Sequence, residues 1–182
     1  RALALPAVVI VFEPLPREYL HPEQAPARLM DFREKFRALA ALGVDRLLRI
    51  RFDESVRNMS AAAFVERIFV DGLGVKRLVL GDDFRFGRGR EGDHDFLRAE
   101  GERHGFDTLS TDTLALEGRR VSSTRVREAL AAGDLELAAE LLGRPYVITG
   151  RVVQGRQLGR TLGAPTANVE LNRLKAPLSG VF

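Results

Sequence analysis

A chain of 182 residues, 45% apolar and 29% charged, has room for one large domain or one and a part, within the ordinary range of a soluble globular protein. The absence of cysteine excludes disulfides, zinc–thiolate sites and a cysteine nucleophile and fits a reducing cytoplasm, and no apolar run approaches the ~20 residues that span a bilayer. The formal charge of +3 is uneven: residues 1–149 carry net −1 and residues 150–182 net +4, which points to an anionic ligand near the end of the chain.

The chain opens at Arg1 and drops at once into an apolar run, as a cut chain would. No small-residue cleavage site follows before Phe12, Glu13 and Pro14, so this opening run is not expected to be a signal peptide. Residues 7–12 (AVVIVF) read as a strand buried on both faces, typical of a parallel sheet, and the prolines at 14 and 16 stop it. Residues 27–42 predict a helix with Leu29, Phe32, Phe36, Leu39 and Leu42 on one face and Gly43 past its end. Alternation over 44–52 predicts a second strand. Ser60 caps a helix running through Phe64, Val65, Ile68 and Phe69, and residues 76–80 predict a third strand. This order of elements argues a doubly wound α/β domain with right-handed crossovers.

The loop after the third strand reads GDDFRFGRG, residues 81–89. In open α/β sheets ligands bind beyond the carboxyl ends of strands. Its carboxylates, Phe rings and arginines suit a flat aromatic ligand with a phosphate; equally, the rings suit a solvated loop whose Phe side chains plug the core. Asp93 caps a helix to His104, ended by Gly105. His21, His94 and His104 lack metal-ligand spacing and read as surface histidines. Ser122, Ser123 and Thr124 precede a helix through Val126, Ala129 and Leu130. They read as N-caps, or as a phosphate site at a helix N-terminus with Arg127 adding charge. Gly133 and Asp134 break that helix, residues 135–142 form another, and Gly143, Arg144 and Pro145 form a linker. Beyond it, residues 146–149 and 152–153 read as short strands of an antiparallel barrel.

Residues 150–168 carry Gly150, Gly155, Gly159 and Gly163 with arginines between them, closing on Pro165, Thr166, Ala167 and Asn168. Glycine lets backbone N–H groups approach an anion, and arginine supplies donors for phosphate. Thr166 and Asn168, two apart, face one way in an extended segment and offer oxygens to Mg²⁺. A nucleoside triphosphate is the natural ligand; the alternative is a ligand-free Gly-rich hairpin. A nucleic-acid surface would need a broader basic patch with stacking aromatics, and the aromatics here are mostly Phe.

The order FEPLP, GDDFRFG, SSTRVR, a Gly-Arg-Pro linker and then the glycine ladder ending in PTAN resembles the prokaryotic bifunctional riboflavin kinase/FMN adenylyltransferases, over nearly the whole chain. The resemblance implies a Rossmann-like nucleotidyltransferase domain over residues 1–143, making FAD and pyrophosphate from FMN and ATP. It also implies the start of a riboflavin kinase barrel over 144–182, making FMN from riboflavin and ATP. By resemblance, Ser122, Ser123, Thr124 and Arg127 handle ATP phosphates in the first reaction, with Arg127 the catalytic charge. Phe12, Pro14, Asp83 and Phe84 lie near flavin and nucleotide. Gly155, Gly159 and Gly163 lie beside the phosphates in the kinase, and Thr166 and Asn168 hold its ATP–Mg²⁺. Arg125, two positions before Arg127, is expected to matter less. Small-molecule substrates, no nucleic acid, no membrane and a cytoplasmic location follow as expectations.

Two departures accompany the resemblance. The family's H-x-G-H motif is not found, and neither is the later glutamate that serves the kinase as general base, Glu170 being too close to PTAN. The chain is thus expected to lack both ends of its family's pattern and, as a separate polypeptide, to catalyse neither reaction.

Overall fold

A computed structural model describes residues 3–154, 168–171, 173 and 175–178. Strand β1 is Val8–Glu13, and helix α1, Pro16–Leu20, starts on Pro16 with Glu18 reaching back to the Leu15 N–H at 3.0 Å. Helix α2 is Phe32–Ala41. It begins there because Asp31 caps it: Asp31 Oδ1 accepts from Glu34 N and Glu34 Oε2 from Asp31 N, both at 2.7 Å, a reciprocal box that settles two free donors. Strand β2, Arg46–Arg51, pairs with β1. Helix α3, Glu54–Arg57, is capped by Asp53, and α4, Ala61–Phe64, by Ser60; α4 continues as a π-helical stretch over Val65–Gly72. Strand β3, Arg77–Gly81, is followed by α5, His94–His104, and by β4, Asp107–Thr111, which runs parallel to β3. Parallel neighbours need a crossover, and α5 supplies it. Strands β5 (Ala115–Leu116) and β6 (Arg119–Arg120) form an antiparallel ladder. Helices α6, Ser123–Ala131, and α7, Leu135–Leu142, pack on each other, and β7 (Arg151–Val153) pairs antiparallel with β8 (Asn168–Glu170).

The chain divides into two compact units. The first comprises Arg1–Ile10, Glu23–Leu48 and Val121–Phe182. Its buried apolar residues come mainly from the α6–α7 pair: Val126, Ala129 and Leu130 against Ala138 and Leu141. The second comprises Val11–Pro22 and Arg49–Arg120, with Phe64, Val65, Phe69, Leu78, Phe86 and Leu97 at its centre.

The mixed α/β character expected from the order of elements is present, with β7–β8 as the antiparallel start of the last region. Several local expectations differ. β1 is half-buried along its length rather than sealed on both faces. The helix expected over 27–42 starts only at Phe32, because the Asp31 cap fixes its first turn and leaves Leu29 and Met30 in a bend. Phe36 is 52% and Leu42 81% exposed, so periodicity overstated the buried face. Ser122 alone precedes α6; Ser123 and Thr124 belong to its first turn. Residues 146–149 are not a strand; Tyr146 Oη donates to Leu29 O and Thr149 N to Glu34 in the first turn of α2.

Candidate active site

The first unit builds a pocket around the start of α6. Ser122 Oγ accepts from Arg125 N at 3.2 Å, which fixes the first turn and leaves Ser123 and Thr124 exposed there. The first N–H groups of a helix lack intrahelical acceptors and carry its positive end. Beside them lies a cavity of about 240 Å³ whose walls include Leu29, Met30, Val126 and Tyr146 together with Ser122 and Ser123. Arg144, exposed, stands at its edge. The pocket thus offers apolar walls for a flat ring and a hydroxyl-lined, positively polarised end for an anion. Arg127, half-buried, donates from Nε to Ala27 O at 2.6 Å, which pins its stem to the segment before α2.

A polar network backs the pocket wall. Glu34, 8% exposed, accepts at Oε1 from Thr149 N (2.7 Å) and Thr149 Oγ1 (3.0 Å) and at Oε2 from Arg173 Nη2 (2.6 Å). The Arg173 side chain is wholly buried; its Nη1 reaches Arg28 O (3.2 Å), Leu29 O (3.3 Å) and Tyr146 Oη (3.2 Å). Tyr146 Oη donates to Leu29 O at 2.9 Å. Burial raises the Tyr146 phenol above its ordinary value, against the opposing charge of Arg173. A buried ion pair is tolerable only when such further bonds satisfy its remaining groups.

The second unit holds the segments expected near flavin. Phe12 packs edge-on to Phe52 at 5.8 Å and tilted against Phe64 at 6.2 Å. Phe64 meets Phe86 at 5.7 Å, and Phe84 stacks on Phe86 at 5.5 Å with 21° between planes. One chain of rings therefore joins Phe12 to Phe84. Pro14, exposed, follows Phe12 at the end of β1. Of the two readings of the 81–89 loop, core plugging describes Phe86, which is 8% exposed, while Phe84 is only half-buried. Arg120 Nη2 holds the loop's carboxylates, at 3.2 Å from Asp82 and 3.3 Å from Asp83. Thr113 Oγ1 donates to Asp82 at 2.6 Å, and that bond first, then Arg120, holds the Asp82 carboxyl below its ordinary value of 3.8. His94, half-buried rather than at the surface, places Nε2 2.8 Å from Gly81 O at the loop's root.

The expected site residues thus fall into groups. Ser122, Ser123, Thr124 and Arg127 stand together in one unit, and Phe12, Pro14, Asp83 and Phe84 in the other. Gly155, Gly159, Gly163 and Thr166 lie outside the described residues. Asn168 is exposed at the start of β8, in register with Val153, and no cluster of metal-ligating side chains occurs among the described residues. Sequence reasoning missed Glu34, Tyr146, Arg173 and Arg120. It also gave no sign that Arg125, 6% exposed, lies in the core. Only Glu34 had a local signal, the D-x-x-E of a capping box.

Comparison with known proteins bears on both units. The family model described as FAD synthetase matches residues 1–125, and that described as riboflavin kinase matches 142–182. Curated relatives called bifunctional riboflavin kinase/FMN adenylyltransferase include one from Pseudomonas fluorescens, 53% identical over 99% of this chain and 58% of its own length. That from Escherichia coli K12 is 51% identical over 98% of this chain and 57% of its own length, and that from Haemophilus influenzae 46% over 99% and 58%. The chain therefore spans a little over half the length of these relatives. A solved structure titled a macrolide-efflux protein from Streptococcus pneumoniae aligns with a TM-score of 0.77 at 29% identity, covering 94% of this chain and 56% of its own. Among the described residues, no helix is long and apolar enough to cross a membrane.

Proposed function

Because this chain belongs to the FAD synthetase family, we propose that the protein makes FAD from FMN and Mg–ATP, and FMN from riboflavin and Mg–ATP. In the first reaction an FMN phosphate oxygen bonds to the α-phosphorus of ATP, the α–β bridging P–O bond breaks, and pyrophosphate leaves with the electron pair. In the second the riboflavin hydroxyl attacks the γ-phosphorus and ADP leaves. Displacement at phosphorus depends mainly on positioning and charge neutralisation. The boundary between the two activities falls near residues 143–144, a division that the ranges of the two family models support. The setting is cytoplasmic, and the partners are small molecules.

One observation carries the first activity: the N-terminus of α6, with Ser122 and Ser123, opens on a cavity of about 240 Å³ with apolar walls. ATP phosphates belong at the hydroxyl-lined end, held by Ser122, Ser123, Thr124 and the Arg127 guanidinium, and adenine against Leu29 and Met30. Phe12, Pro14, Asp83 and Phe84 serve the flavin. Gly155, Gly159 and Gly163 serve the kinase's phosphates, and Thr166 and Asn168 its Mg–ATP. The test is chromatography of native protein incubated with FMN and Mg–ATP, and separately with riboflavin and Mg–ATP. FAD with stoichiometric pyrophosphate, and FMN with ADP, are expected. Binding of FMN without any FAD would replace this reading with a non-catalytic flavin module.

A further inference from the structure

We propose that Arg173, which lies in the region matching the riboflavin kinase model, is a positioning residue for the nucleotide pocket beside α6; this rests on the ATP reading of that pocket. Arg173 does not line the cavity. It acts on the wall. Leu29, Met30 and Tyr146 line the cavity together with Ser122 and Ser123, and they belong to irregular segments with no ladder or helix of their own to fix them. Arg173 grips this wall at three places: Nη1 on the carbonyls of Arg28 and Leu29 and on Tyr146 Oη, at 3.2, 3.3 and 3.2 Å. Tyr146 in turn donates to Leu29 O at 2.9 Å, closing a triangle.

The grip is anchored on the rigid part of the unit. Arg173 Nη2 meets Glu34 Oε2 at 2.6 Å, and Glu34 is locked in the first turn of α2 by the same oxygen's bond to Asp31 N at 2.7 Å. Thr149, from the segment leading to β7, fills the other carboxylate oxygen through both its N–H and its hydroxyl. A guanidinium with donors in a fixed fork can serve α2, the 28–29 carbonyls and Tyr146 at once. An ammonium on a flexible stem can neutralise Glu34 but cannot span all of them. The arrangement makes the shape of the nucleotide pocket depend on a residue from the other activity's region, so that seating of Tyr146, Thr149 and Arg173 readies the pocket for ATP.

The test uses native full-length protein carrying Arg173→Lys, with calorimetric Mg–ATP binding and the steady-state kinetics of FAD formation. Arg173→Lys is expected to weaken Mg–ATP binding and raise KM for ATP roughly tenfold, as a misfit wall would, leaving KM for FMN unchanged. A merely structural role would lower the active fraction, hence kcat, with both KM values intact. Tyr146→Phe, which keeps the ring and removes the hydroxyl between Arg173 and Leu29, is expected to shift ATP binding in the same direction by a smaller factor. It decides the matter if Arg173→Lys does not fold. Wild-type ATP affinity in either folded variant overturns the proposal. Wild-type protein that binds Mg–ATP but makes no FAD refutes the adenylyl-transfer reading alone, since the binding comparison still judges Arg173. Wild-type protein that does not bind Mg–ATP refutes both.

Discussion

Substitution of Gly87 by alanine probes how the 81–89 loop is held without touching any residue assigned to substrate. Gly87 has φ 75° and ψ 173°, a conformation that side chains avoid. A Cβ there would stand 2.7 Å from Ala61 N and 2.9 Å from Ala61 Cα. That neighbour is backbone at the start of α4, 1% exposed, with its N–H fixed on Glu91 Oε1 at 2.7 Å. Arg88 N also donates to Met59 O at 2.8 Å, so the contact cannot be relieved by moving a side chain. Backbone strain of ~1–3 kcal/mol adds to overpacking of ~1–3 kcal/mol, for a central loss of about 4 kcal/mol. For a chain of this size that lowers Tm by roughly 8–16 °C. Gly89, at φ 64° with nothing within 4 Å of its Cβ direction, is the control; its alanine variant carries only the strain, ~1–2 kcal/mol. Thermal and denaturant unfolding of both variants measures the difference, and KM for FMN should rise only in Gly87→Ala, since Asp83 and Phe84 sit in the displaced loop. Equal stability of the two variants would refute the reasoning that the loop is seated by backbone contact with Ala61.

Arg127→Ala should slow FAD formation by roughly 10²-fold, as loss of a positioned charged donor does, beside about 1–2 kcal/mol of stability lost with its bond to Ala27 O. Arg125→Ala should instead cost on the order of 3 kcal/mol of stability, read by denaturant unfolding, because it leaves a cavity where a buried side chain packs. Asn168→Ala in native protein should abolish FMN formation from riboflavin and spare FAD formation from supplied FMN; equal loss of both would remove the division near residue 143. The Asp82 carboxyl, held below 3.8 by Thr113 and Arg120, stabilises the fold above about pH 4 and loses that contribution as pH falls through its depressed folded value. Carboxyl NMR titration should show Asp82 returning toward its ordinary value in Thr113→Val, and no movement would mean that the hydroxyl is not the main cause.

Elements whose start and stop are set by neighbours in the chain were legible. Asp93 accepts from Phe96 N at 3.0 Å and Gly105 adopts φ 74°, as expected for the two ends of α5. α7 likewise occupies Leu135–Leu142 between Asp134 and Gly143. Legibility failed where a partner far along the chain decided the outcome. Spacing placed Phe36 and Leu42 on a buried face, but periodicity says only that residues share a face, not that anything covers it. The α6 motif was legible as a group of residue types, but the burial of Arg125 was not: helical spacing from Ser122 does not say which side of the turn faces the core.

Glu34 shows where the limit lies. Its bond to Asp31 N spans three residues and is written in the D-x-x-E pattern; its bond to Arg173 spans 139. A carboxylate with only the first would sit at a helix start half in water, as capping residues ordinarily do. The second takes it out of water, and Thr149 and Tyr146 are then required so that neither charge is left with unmet bonds. The capping pattern therefore specifies the helix, while the occupant of position 173 decides whether the capping residue also becomes a fastening point for the later segment. Neutralising Glu34 alone would keep much of the cap, because an amide oxygen still accepts from Asp31 N. It would also strand the Arg173 guanidinium in the interior, so the loss should fall on the pocket wall before it falls on α2.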